Sequence, residues 1–76
     1  MNVAIEKFEY AGRLFSVTRA CLTFPPGKPF GLRQVARIVS LSHETTRGLL
    51  QAHVLHNFVI KEVQHGKVKK YMRRAS

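Results

Sequence analysis

The sequence predicts a mainly α-helical fold with a small β-hairpin, in which three helices come first and a two-stranded hairpin follows. Two patterns carry this prediction. Up to Asn57, apolar residues recur at spacings of three and four, which is typical of helices with one buried face. From residue 58 onward, valine, isoleucine, phenylalanine and tyrosine dominate around a His-Gly pair, which favours two strands and a tight turn. With 76 residues the chain has room for one domain, predicted over residues 1–76.

The first helix is predicted over residues 1–22, and Pro25 and Pro26 prevent its continuation. Its apolar positions form two neighbouring edges, one of Ala4, Phe8, Ala11, Phe15, Thr18 and Leu22 and one of Tyr10, Leu14, Val17 and Cys21. At ~100° per residue the two edges cover about half of the helix circumference. Two interpretations remain open. Either another part of the domain covers this surface, or it forms a homodimer interface through Tyr10, Leu14 and Val17.

Two helices are predicted next, over residues 31–40 and 42–57, and the short turn between them requires a sharp angle. Gly31 and Ser42 are suitable N-caps for them. Asn57 suits the left-handed residue that often follows a helix. The apolar face of the first of these helices consists of Leu32, Val35, Ala36 and Val39. The inner face of the second is predicted to contain Thr46, Leu49, Leu50 and His53.

Residues 58–74 are predicted to form the hairpin, with His65-Gly66 as its two-residue turn. A turn centred there pairs Val63 with Val68, Glu62 with Lys69 and Ile60 with Tyr71. These pairs place apolar residues opposite apolar residues and a carboxylate opposite an ammonium group.

The charge of the chain is strongly positive and unevenly distributed. Its formal net charge is +9, and residues 28–76 contribute ten lysines and arginines against two glutamates, a net of 10 − 2 = +8. A surface of one sign attracts polyanions by counterion release and steered association, whereas a surface that only confers solubility usually mixes both signs. The charge therefore predicts a nucleic-acid partner.

The order of elements is that of a winged helix-turn-helix domain, and residues 27–63 resemble the DNA-binding segment of IclR- and MarR-type bacterial transcriptional regulators. The matching motifs are Pro29-Phe30 as a short first strand, the Val35-Ala36 pair, the turn Leu41-Ser42-His43-Glu44-Thr45 before the recognition helix, and Asn57-Phe58-Val59 after it. The resemblance extends to about residue 72. It departs from the family pattern at His53, which is usually Leu, and at Asn57, which is usually Gly.

The resemblance implies sequence-specific binding of double-stranded DNA, with the third helix in the major groove and the hairpin, or wing, on the phosphate backbone. On the outer face of that helix, Arg47 suits guanine and Gln51 suits adenine. Gly48 costs roughly 1 kcal/mol relative to Ala in a helix, and it would let the DNA approach the backbone closely. The other predicted DNA-binding residues are Ser42, His43 and Thr45 at the start of the helix, Arg33 and Arg37 on the second helix, and Lys61, Lys67, Lys69, Lys70, Arg73 and Arg74 on the wing. The alternative is that the helix face is simply solvated.

Catalysis is not expected from this chain. It contains no aspartate, and its four glutamates are scattered, so the clustered carboxylates of a metal-dependent nuclease are not available. Cys21 has no evident base partner and is interpreted as a small core residue. His53 and His56 are three residues apart but have no further ligand nearby in sequence, so no metal site and no cofactor are predicted. A single cysteine and the lack of a long apolar segment predict a cytoplasmic, nucleoid-associated protein.

Two function classes remain open. The first is a small DNA-binding transcriptional regulator that acts as a homodimer. The second is a winged-helix interaction module that binds RNA or a protein, such as a subunit of a larger complex or a mobile-element protein. The exposed Arg47 and Gln51 favour the first class, and Leu55, which points outward near the end of the third helix, favours the second.

Overall fold

The computed structural model describes residues 3–74, and for residues 3–8 and His65 it describes the backbone alone. Three helices, α1 (Val3–Cys21), α2 (Leu32–Val39) and α3 (His43–Leu55), precede the strands β1 (Ile60–His65) and β2 (Val68–Arg73). The strands form one antiparallel sheet. The predicted fold class is confirmed, and the arrangement is winged-helix-like. Residues 1 and 2 of the predicted first helix, and the side chains of Ala4 and Phe8, lie outside the described part. None of the helices within residues 3–74 is long and apolar enough to cross a membrane.

The ends of α2 and α3 are capped as the sequence predicts. Gly31 is the N-cap of α2, and its N–H donates to Gln34 Oε1 at 2.8 Å. Ser42 Oγ accepts a hydrogen bond from the Thr45 N–H at 3.2 Å. Asn57 adopts the left-handed conformation with φ 53° after α3. The Phe58 N–H then donates to the His53 carbonyl at 2.8 Å, which is the reach-back bond of a Schellman motif.

The core is small and joins all five elements. Its buried apolar members are Val17, Ala20, Cys21, Phe30, Val35, Leu49, Leu50, Ile60 and Tyr71. Phe30, from the loop after α1, exchanges two backbone hydrogen bonds with Tyr71 at 2.8 and 2.9 Å and so attaches that loop to β2. The Phe24 ring stacks on the Phe30 ring with centroids 4.3 Å apart. Thr46 and His53 are also buried, which confirms the predicted inner face of α3.

The predicted hairpin turn is wrong by one residue. β1 continues to His65, and the two turn residues are Gly66 and Lys67. Gly66 has φ 67° at the first central position, where a type II′ turn requires glycine or a residue that tolerates positive φ. Each predicted partner is therefore displaced by two positions, so that Glu62 lies opposite Tyr71 instead of Lys69. A displacement of two leaves every side chain on its predicted face of the sheet.

The wide apolar surface of α1 is covered only in part. Val17, Ala20 and Cys21 are buried in the core, whereas Phe15 stays 64% exposed and Tyr10 53% exposed. Val17 has none of its surface exposed, so its predicted place in a dimer interface is corrected: this side chain packs inside its own chain. Residues 9–13 are all exposed, and this part of α1 extends beyond the core.

Candidate nucleic-acid interface

The outer face of α3 presents the side chains that the sequence predicts to meet DNA bases. Arg47, Gly48 and Gln51 are all exposed, on the side of α3 opposite Leu50 and His53. The cap fixes the start of this helix, because the Ser42 hydroxyl accepts from the Thr45 N–H and donates to Thr45 Oγ1 at 2.9 Å. The hydroxyl groups of Ser42 and Thr45 therefore already take part in capping the N-terminus of α3. Ser42 remains exposed and Thr45 half-buried.

A cationic cleft separates α3 from the wing. It has a volume of about 720 Å³ and lies between the N-terminus of α2, the outer face of α3 and strand β2. Its lining residues are Gly31, Leu32, Arg33, Gln34, His43, Arg47, Gln51, Val68, Lys69, Lys70 and Tyr71. Arginines and lysines from three different elements thus face one space. Carboxylates are absent from this lining.

The cleft continues along the α2–α3 turn. A smaller depression of about 320 Å³ is lined by Arg33, Ala36, Arg37, Leu41 and His43. Arg33 and His43 line both spaces, so the exposed cations of α2 extend the cleft. Four predicted residues of α2 and α3 therefore belong to one continuous basic surface: Arg33, Arg37, His43 and Arg47.

One side-chain hydrogen bond crosses the cleft. Gln51 Nε2 donates to the hydroxyl of Tyr71 at 3.3 Å, which links α3 to β2. Burial raises the pKa of Tyr71, and nearby Arg47 and Lys69 lower it only in part, so the phenol is neutral at physiological pH. Sequence reasoning missed this link, because the tyrosine was interpreted only as a hairpin residue.

The wing cations have different surroundings. Lys69 Nζ lies 3.5 Å from Glu62 Oε1, in a diagonal pair across the hairpin. Lys70 lines the cleft and Lys67 is exposed in the turn. Lys61 is exposed on β1 and is not among the residues that line the cleft.

Arg73 and Arg74 are held by other parts of the chain. Arg73 is half-buried, and its Nη1 donates to the Phe24 carbonyl at 3.1 Å. The guanidinium group thus fastens β2 to the loop after α1, and its predicted contact with phosphate stays a prediction. The exposed Arg74 donates from Nη1 to Asn57 Oδ1 at 3.3 Å and can still reach solvent.

An apolar groove lies on another surface, between α1 and the C-terminal end of α3. Its volume is about 580 Å³, and it is lined by Tyr10, Ala11, Leu14, Phe15, Thr18, Ala52, His53, His56 and Phe58. The predicted interface residues Tyr10 and Leu14 belong to it. Phe58 is 52% exposed and was not predicted to lie here, because its position depends on the reversal of the chain at Asn57.

His53 forms the polar floor of the apolar groove. Its Nδ1 lies 2.7 Å from the Leu49 carbonyl, which only accepts, so this nitrogen carries a proton. Its Nε2 lies 2.7 Å from Thr18 Oγ1 and ties α3 to α1. The histidine is therefore a satisfied core residue, as the sequence predicts.

The described residues offer few groups for catalysis or metal binding. Among the side chains that the structure describes, those of residues 9–64 and 66–74, no three histidine, cysteine, aspartate or glutamate groups converge in a way that would hold a metal ion. Cys21 is completely buried, and burial raises the pKa of its thiol to about 12. A thiol with this pKa is protonated at neutral pH and is a poor nucleophile.

Comparisons with known proteins support the fold. A similar arrangement occurs in the crystal structure of human N-acetylserotonin methyltransferase in complex with SAM, with a TM-score of 0.59 and 26% sequence identity. The match covers 97% of this chain but only 24% of that chain, so this chain spans about a quarter of the methyltransferase. No family model matches the sequence. No curated protein matches it either. The fold is thus winged-helix-like, and it also occurs as part of an enzyme.

Proposed function

We propose that this chain binds double-stranded DNA sequence-specifically as a small transcriptional regulator, in the manner of the IclR- and MarR-type proteins that it resembles. The observation that carries the proposal is the cationic cleft, where Arg33 of α2, Arg47 of α3 and Lys70 of β2 face one space. A net charge of +9 adds general attraction to a polyanion. The fold alone does not assign this function, since winged-helix-like domains also occur in proteins such as the methyltransferase.

The proposed function divides the residues into two groups. Arg47 and Gln51 are exposed on one side of α3 and have the donor and acceptor groups that distinguish bases in the major groove. Lys67, Lys70 and Arg33 surround that helix face and are suited to phosphates, which are the same in every sequence. Binding, without chemistry, is the proposed activity, and its site in the cell is the cytoplasm with the nucleoid.

We also propose that two copies associate through the apolar groove. Tyr10, Phe15 and Phe58 expose 53%, 64% and 52% of their surface there. Apolar side chains clustered in this way favour burial against a second apolar surface. A two-fold pair would carry two α3 helices to two half-sites of one operator.

The test begins with selection of bound sequences from a random duplex library by the wild-type chain. The affinities for the preferred duplex and for a scrambled version of it are then measured by titration. The proposal expects one preferred sequence, with two half-sites about one helical turn apart. Affinity for both duplexes should fall steeply with salt. The salt slope is the slope of the logarithm of the binding constant against the logarithm of the salt concentration, and each phosphate contact contributes roughly 0.9 to its magnitude. Equal affinity for the preferred duplex and the scrambled duplex would contradict sequence-specific binding.

A protein-interaction module is the second candidate. It is favoured by Leu55, which is 76% exposed at the end of α3, beside the half-exposed Phe58. An interaction module would use these apolar residues, whereas a DNA-binding protein would use Arg47, which lies in the N-terminal half of the same helix. The neutral change Leu55→Ala should leave duplex binding unchanged if the first candidate is right, and Arg47→Ala should leave partner binding unchanged if the second is right.

A further inference from the structure

Gln51 is an exposed side chain with one fixed contact. It lies on α3 one turn after Arg47, and both line the cationic cleft. An exposed glutamine normally samples many rotamers, and fixing one on binding costs about 0.5–1.5 kcal/mol. Here the Nε2 group already donates a hydrogen bond to the Tyr71 hydroxyl at 3.3 Å in the free protein.

Tyr71 is a rigid partner for this amide. Only 4% of its surface is exposed, and its backbone is paired on both edges, with Glu62 of β1 on one side and Phe30 on the other. Its ring packs against the Phe30 ring with centroids 6.3 Å apart. Because the ring belongs to the core, the position of its hydroxyl group is set by the fold.

The contact leaves the amide fully able to recognise a base. A glutamine amide has two N–H groups and one carbonyl oxygen, and the bond to Tyr71 uses a single N–H. The other N–H and Oε1 remain, and these are the donor and acceptor that a bidentate pair with adenine N7 and N6 requires. A tyrosine hydroxyl can also donate, so in the opposite amide orientation it would bond to Oε1 and the NH₂ group would face acceptors on guanine or thymine. The base selected at this position distinguishes the two orientations, and the observed Nε2 contact corresponds to adenine.

We propose that Tyr71 is a positioning residue for base recognition: its hydroxyl holds the Gln51 amide in the orientation that selects adenine. This inference rests on the proposed DNA-binding function and adds a specific role for the wing. Besides carrying cations, β2 sets the base preference of α3 through one buried tyrosine.

The test compares three variants by selection from a duplex library and by titration. Tyr71→Phe removes the hydroxyl and keeps the buried ring. Gln51→Ala removes the amide, and Ser16→Ala removes an exposed hydroxyl from α1, outside both the cleft and the apolar groove. Gln51→Ala should lower the preference for adenine at one position by about 5- to 150-fold. Tyr71→Phe should weaken the preference at the same position by about two- to twelvefold. Ser16→Ala should change neither.

The outcomes separate this inference from the proposed function. Wild-type chain that selects no sequence refutes the function itself. If the wild type selects a sequence and Tyr71→Phe selects the same one with equal discrimination, the positioning role is refuted. The same conclusion holds if Tyr71→Phe weakens all duplexes alike, or if the base at the Gln51-dependent position is guanine or thymine. Should Tyr71→Phe fail to fold, NMR relaxation of the wild-type Gln51 side-chain amide still decides, since a freely rotating amide excludes the role.

Discussion

The cationic cleft and the apolar groove are built on the same core but differ in how their side chains are held. In the cleft, Gln51 is bonded to Tyr71 and Lys69 is paired with Glu62. In the groove, Tyr10 and Phe15 expose more than half of their surface, at 53% and 64%. The cleft is therefore arranged by polar contacts within the chain, whereas the rings of Tyr10 and Phe15 in the groove stay largely open to solvent. This difference is the basis of the two partners that we propose, a polyanion and a second apolar surface.

The largest effect is expected from a substitution that unfolds the domain and so disrupts both the cleft and the groove. Phe30→Ala truncates a completely buried ring that joins the loop after α1 to β2. Such truncations cost about 3–5 kcal/mol, which is comparable with the whole stability of a domain of this size. We expect this variant to be largely unfolded by circular dichroism and to bind neither duplex nor a second copy. A matched change at the exposed ring, Phe15→Ala, should alter the unfolding free energy of the monomer by less than about 0.5 kcal/mol.

The next largest effect is expected from a substitution in the groove that weakens dimerisation and leaves the cleft intact. Tyr10→Glu places a carboxylate in the apolar groove, and an unpaired charge buried at an interface costs several kcal/mol. We expect the dimer dissociation constant to rise by at least about 100-fold in sedimentation equilibrium, with single half-site binding retained. Leu55→Glu, outside the groove, is the control and should leave association unchanged. A wild-type chain that stays monomeric at high micromolar concentration contradicts the dimer.

A smaller effect distinguishes structural from DNA-binding cations in the wing. Arg73 donates to the Phe24 carbonyl, so Arg73→Ala should lower the unfolding free energy by about 1–2 kcal/mol. It should leave the salt slope of DNA binding unchanged. Lys67→Ala, in the exposed turn, should do the reverse and reduce the slope by roughly 0.9. Denaturant titration and binding at several salt concentrations measure the two effects, and a reduced slope for Arg73→Ala would show that Arg73 also contacts phosphate.

The smallest effect changes stability and binding in opposite directions. Gly48 is in the middle of α3, and a Cβ atom added there meets no other atom within 4 Å. Gly48→Ala should therefore stabilise the domain by about 1 kcal/mol, yet weaken DNA binding because the methyl group keeps α3 from the groove. Gly12→Ala in α1, where a Cβ atom is equally free, should give the same gain and leave binding unchanged. Unaltered binding by Gly48→Ala would show that DNA does not approach the backbone there.

Local patterns predicted most of the fold. The caps at Gly31 and Ser42 and the left-handed Asn57 follow from local chemistry, and the structure confirms all three. The hairpin register was missed because Gly66 can be either the first or the second residue of a two-residue turn. Both registers are compatible with the alternation of residues along the strands. The glycine conformation, which sequence does not display, decides between them.

The candidate site was less predictable because it depends on contacts that are distant in sequence. The outer face of α3 follows from helix periodicity alone. The Gln51–Tyr71 bond and the Arg73–Phe24 bond join residues 20 and 49 positions apart, and no local pattern specifies them. Val17 was assigned to a dimer interface because one helix viewed alone does not reveal which of its two apolar edges the rest of the chain covers.

Sequence-specific DNA binding by α3 is tested most directly by comparing Arg47→Ala with Lys70→Ala. Binding of each variant is measured by fluorescence anisotropy on the selected duplex and on its scrambled version, at several salt concentrations. Arg47→Ala should cost about 1–3 kcal/mol on the selected duplex and little on the scrambled one, because base edges differ between sequences. Lys70→Ala should weaken both duplexes alike and reduce the salt slope by roughly 0.9. Equal losses on both duplexes for Arg47→Ala would contradict the assignment of α3 as the reader of sequence.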